Sequence, residues 1–118
     1  MRESTLWLFH LLAGAVLLTV LGVHYGVMHL SNLFGIDHAA VLSFSSVAGR
    51  SGQPFYLVVY LVLLPAALYH GFYGLRSLIF ELSFIGPVLR RWISRILVLS
   101  GFVFFIFGAY AIITGFLG

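Results

Sequence analysis

Three long apolar stretches dominate this chain, at about residues 6–30, 54–80 and 91–117. Each meets the roughly 20 residues that a helix needs to cross a bilayer. Inside lipid every backbone N–H and C=O must be paired, so such stretches are read as helices. The rest of the composition agrees. Of 118 residues, 62% are hydrophobic and 8% are charged, against about 25% charged in a soluble domain. The expected fold is therefore all-α, a single transmembrane domain over residues 1–118 with three spanning helices. The first stretch is too long for the apolar core of a secretory signal and no small-residue cleavage site follows it, which marks it as a retained helix.

Prolines and charges refine the layout. Pro54 suits the first turn of the second span. Pro65 lies inside that span and is expected to kink it locally. Between the first two spans runs a Ser- and Gly-rich loop, residues 31–53, in which "HAAVLSF" can form a short interfacial helix. The six cations are all arginine and the net charge is +3. Scattered in this way they make no nucleic-acid stripe. Arg90, Arg91 and Arg95 cluster at the short second connection and Arg2 precedes the first span, while Arg50 stands alone on the other side. The positive-inside rule then places the N-terminus and the second connection in the cytoplasm. The chain has no cysteine, so disulfides, thiolate-bound metals and cysteine nucleophiles are excluded.

Ionisable groups inside a span are expensive and point to function. His70 lies about 15 residues into the second span, roughly 22 Å along it. A neutral imidazole offers the lone pair that haem iron takes up. Gly71 and Gly74 beside it would let a flat porphyrin approach the helix, although glycines also serve plain helix packing. Arg76, one to two turns on, can pair with a haem propionate or snorkel to the headgroups. In the first span His24 is the better-placed second ligand, with His29, near the surface, as the fallback. Gly22 and Gly26 flank His24 but face away from it, as a close helix contact would require. His10 and Gly14 repeat the His-x-x-x-Gly spacing of His70 and Gly74, and His10 and His24 fall within about 40° on one helix face. His10, only four residues inside the expected span, reads as a polar group near the cytoplasmic surface. His38 reads as a solvated loop residue. His24 and His70 sit at different heights, so each would need a partner histidine from a second membrane subunit.

The stretch "YHGFYGLRSLIFEL" resembles the H-G-x-x-G-[LV]-x-x-x-x-x-[DE] segment of the small membrane-anchor subunit of succinate dehydrogenase, through His70, Gly71, Gly74, Leu75, Arg76 and Glu81. "VHYGVMHL" resembles the histidine-bearing first span of its two-haem members. The resemblance implies a haem-binding bundle shared with a second anchor subunit, holding one or two haem b groups. It implies an iron–sulfur subunit and a flavoprotein as further partners, and electrons passed to quinone as substrate. His70 would ligate the haem nearer the iron–sulfur subunit and His24 the outer one. Glu81 would border the quinone pocket, with His10 as a weaker member at a matching height. Leu82 stands where one branch has a quinone-contacting Tyr, and His10 where that branch has an Arg; both departures favour the two-haem branch.

Two other readings compete: a cytochrome b subunit of another membrane oxidoreductase, and a non-redox membrane assembly subunit. No nucleophile–base pair, carboxylate dyad or phosphate loop is present, so the chain alone is expected to be non-catalytic. A bacterial or archaeal inner membrane is the expected location.

Overall fold

A computed structural model of the chain describes residues 2–118. Its three long helices are α1 (Glu3–His29), α4 (Pro54–Phe80) and α5 (Pro87–Leu117), with short helices α2 (His38–Leu42) and α3 (Phe44–Ser51) between the first two. No strand occurs among the described residues. The second span keeps its expected bounds. The first starts three residues earlier than its apolar stretch, because Glu3 is favourable in a first turn, where the exposed N–H groups attract negative charge. The third starts four residues earlier, with Pro87 in the first turn. At 27, 27 and 31 residues these helices run roughly 40 Å or more, beyond a hydrocarbon layer of about 30 Å. Their polar ends therefore reach the headgroups.

The long helices stand in a row. α4 packs against α1 on one side and α5 on the other, and among the described residues the backbones of α1 and α5 do not come close to each other. The α4–α5 seam follows from a seven-residue repeat of small side chains on α5: Ser94, Gly101, Gly108 and Gly115. Each meets the facing element. Ser94 bonds Arg76. A Cβ at Gly101 would lie 3.6 Å from the Phe72 ring, and one at Gly108 only 2.8 Å from Leu64 Cδ1. Gly115 comes nearest Ser51 of α3, at 4.0 Å. A seven-residue period keeps one stripe facing a neighbouring helix, and small residues let the backbones close in where lipid supplies no hydrophobic drive. α4 continues as helix through Pro65, which removes only the bond to the Leu61 carbonyl.

Arg90 closes the α4–α5 turn. It donates to Phe80 O at 2.7 Å and to Ile85 O at 3.1 Å, satisfying one carbonyl that the end of α4 leaves free and one in the turn itself.

The connection expected as a loop with one short helix is more ordered than that. A 3₁₀ turn at Ser31–Phe34 ends on Gly35, whose φ of 73° suits glycine. Asp37 caps α2 by accepting from Ala39 N–H, and Ser43 caps α3 by accepting from Ser46 N–H. Arg50 donates to Val41 O and ties the two together. Local capping, invisible to a hydropathy reading, organises this segment.

Candidate functional site

α1 and α4 run antiparallel, and each carries one His-x-x-x-Gly. The structure interlocks the two. The rings of His10 and His70 stack with centroids 4.2 Å apart and planes 3° apart. Each ring lies over the other helix's glycine. A Cβ on Gly14 would sit 3.0 Å from His70 Cε1, and one on Gly74 would sit 3.2 Å from His10 Cε1. A side chain at either position would press on the opposing imidazole, so glycine lets the rings meet without displacement.

The pair is not symmetric in its hydrogen bonds. His70 Nδ1 lies 3.1 Å from the His10 carbonyl. A carbonyl only accepts, so Nδ1 carries the proton and Nε2 keeps the lone pair. His10 Nδ1 is buried and has no partner among the described residues. Tyr69 and Tyr73 flank the stack. Tyr69 donates to Leu6 O at 2.7 Å, and the Tyr73 ring lies 5.3 Å from that of His10.

Closer to the Arg-rich end a second cluster joins all three long helices. Arg76 on α4 pairs with Glu3 on α1 at 3.1 Å and donates to Ser94 on α5 at 3.2 Å. Its guanidinium lies over the Phe80 ring, 4.5 Å from the centroid. Tyr73 donates to the same Glu3 carboxylate. These contacts bring the N-terminus and the α4–α5 turn to one end of the molecule. Six residues separate Arg76 from His70, which turns it about 120° around α4. Arg76 faces an apolar groove of about 590 Å³ between α1 and α5, lined by Pro65, Tyr69, Phe72 and Phe105 among others.

The remaining expected residues are dispersed. Gly71 is open, with nothing within 4 Å of a Cβ placed there, whereas Gly74 is taken up by His10. His24 is exposed on α1. Gly22 and Gly26 face open space, so no helix of this chain packs on them. His29 stacks on Tyr25 at 4.6 Å, and His38 lies 3.3 Å from the Ser31 hydroxyl. Glu81 is exposed at the end of α4. His10 is not level with it. It sits at the height of His70 and Gly74, roughly 10–16 Å along the helix from Glu81, because α1 begins at Glu3 and antiparallel packing brings His10 opposite that turn.

Sequence reasoning did not single out Glu3, Tyr69, Tyr73 or Ser94. A signal existed for each tyrosine, since both stand one helical turn apart inside "YHGFYG". Ser94 begins the seven-residue small stripe.

These residues suit a haem ligand set on one specific ground. A metal-bound histidine commonly donates its other ring N–H to a carbonyl, which fixes the tautomer and orientation; His70 makes that bond. No group of three or more His, Cys, Asp or Glu capable of holding a bare metal ion occurs among the described residues, so His70 would act as a single axial donor and not as part of a metal cage.

Comparison with known proteins adds an independent line. The family model for the succinate dehydrogenase/fumarate reductase transmembrane subunit matches residues 2–110. A "Succinate dehydrogenase hydrophobic membrane anchor subunit" of the archaeon Archaeoglobus fulgidus is 26% identical over 112 residues, covering 95% of this chain and 90% of the relative. No solved structure matches significantly.

Proposed function

This chain belongs to the succinate dehydrogenase/fumarate reductase transmembrane-subunit family, and we propose that it is a haem b-binding anchor that carries electrons from an iron–sulfur subunit towards membrane quinone. The membrane-anchor role follows from the family and from three apolar helices long enough to cross a bilayer. The observation that supports the haem reading is the state of His70. Its Nδ1–H is committed to the His10 carbonyl, which in the neutral ring leaves the lone pair on Nε2, and no hydrogen bond to Nε2 occurs among the described residues.

When bound, haem supplies a one-electron carrier inside a layer that excludes water. His70 would hold the iron, and Gly71, open in this chain, would leave room for the ring system beside it. A partner anchor subunit would supply the other wall of the site, because a single row of helices encloses nothing. His24, exposed on the same helix as His10, is the proposed ligand for a second haem nearer the opposite membrane face. Arg76 is held by Glu3 and Ser94, and a propionate would have to compete with Glu3 for it. The Arg-rich end faces the cytoplasm by the positive-inside rule. Quinone reduction consumes protons, and Glu81, exposed at that end, is the residue of this chain proposed to serve it.

Replacing His70 with Ala tests the reading. The assembled complex should lose the haem bound through this chain, seen as a fall in the reduced-minus-oxidised absorbance per mole of complex. Unchanged haem content and midpoint potential would reject it.

A further inference from the structure

The stacked pair poses a question that the ligand assignment leaves open. Two imidazoles meet, yet only one has its orientation fixed by a hydrogen bond. The bond comes from the backbone of the other helix, and a glycine makes it reachable. Within α1, the His10 carbonyl accepts the Gly14 N–H as part of the helical ladder. A carbonyl has a second lone pair, and His70 Nδ1 occupies it at 3.1 Å. Any side chain at position 14 would start 3.0 Å from His70 Cε1 and 3.1 Å from Nδ1. The obstructing atoms belong to a ring and not to a flexible chain end, so the ring itself would have to shift by a few tenths of an ångström, enough to stretch and misalign a bond that is already 3.1 Å long. The His10 ring then covers one face of the His70 ring and limits its rotation.

We propose that Gly14 and the His10 main-chain carbonyl form a positioning cradle that fixes the tautomer and plane of His70 and so tunes its strength as an iron ligand. The proposal rests on His70 being that ligand. His10 and Gly14 are positioning residues; neither touches the iron. The chemistry has a direction. A hydrogen bond donated from Nδ1 leaves more electron density on the imidazole and makes Nε2 a stronger donor, which favours ferric over ferrous iron. Loss of the bond therefore raises the midpoint potential, hydrogen bonding around the ligand being one of the protein's levers on haem.

The test uses the assembled complex in membranes. Gly14→Ala should retain haem while raising its midpoint potential and shifting its low-spin electron paramagnetic resonance signal. Gly22→Ala, on the same helix but facing open space, should move neither. The two failures are distinguishable. If His70→Ala leaves haem content unchanged, the functional reading falls. If His70→Ala removes haem but Gly14→Ala leaves potential and signal unaltered, the cradle alone falls. Should Gly14→Ala fail to assemble, isotope-labelled histidine NMR of the full wild-type chain in micelles decides. His70, assigned by its disappearance in His70→Gln, should be protonated at Nδ1 with a bare Nε2. Protonation at Nε2 would overturn the proposal.

Discussion

The two long seams of this molecule use the same device for different ends. On the α5 side of α4, glycines admit carbon: Leu64 and Phe72 press into the space left at Gly108 and Gly101. On the α1 side, glycines admit imidazole: His70 lies over Gly14 and His10 over Gly74. Both are small-residue contacts of the kind that joins helices in lipid. Packing explains the first completely. The second adds a polar element to packing: two half-buried rings, one of them hydrogen-bonded to the backbone of the facing helix. At its glycines the α4–α5 seam is apolar contact, whereas the α1–α4 seam sets two imidazoles face to face.

Mutations can break this contrast. The largest effect is expected from Gly74→Leu. Its Cβ would start 3.2 Å from His10 Cε1, and the larger side chain would displace the His10 ring, so the stack between α1 and α4 should be lost. Haem should be lost and the thermal midpoint of the complex should fall together. Retention of haem in that variant would show that the α1 contact is dispensable. Gly108→Val should behave differently. Overpacking against Leu64 should destabilise the chain by about 1–3 kcal/mol, measured by detergent-induced unfolding, while the haem spectrum stays as it was. A spectral change there would erase the distinction between the seams. The smallest effect is expected from Glu3→Gln. The carboxylate is 67% exposed, and exposed ion pairs contribute roughly 0–1 kcal/mol. The midpoint should move slightly, and the difference from wild type should vanish at high salt.

Much of the fold was legible because a bilayer imposes a length. Twenty apolar residues can be counted, and the central span came out with its bounds intact. The ends were less legible, since hydropathy stops at the first charge whereas helices continue through it. That three-residue difference at Glu3 moves the inferred depth of His10 by roughly 4–5 Å. His70 stood out because an imidazole with glycine one turn away is unusual so deep in a span. Its partner did not. The repeat of His-x-x-x-Gly was visible in both helices, but only the antiparallel register shows that the two copies interlock. Tyr69, Tyr73 and Arg76 were adjacent in sequence to the motif, yet their partners Leu6, Glu3 and Ser94 lie on other helices. No spacing rule within one segment reports such pairs.

The row of three helices has a consequence for how this chain tolerates change. Among the described residues only Ala13, Ser31 and Ile85 are buried, so there is almost no interior to protect. In a water-soluble domain the cost of a substitution rises with distance from the protein surface. Here nearly every side chain is at a surface, and what varies is its distance from the middle of the bilayer. An arginine at Phe102 and an arginine at Phe84 would both replace an exposed aromatic residue. The first lies well inside α5 and would have to be carried into hydrocarbon, whereas the second lies in the turn beside Arg90 and would sit among headgroups. Mutational robustness in this protein should therefore map onto height along the membrane normal, interrupted only at the few glycines where another helix's side chain fills the missing Cβ.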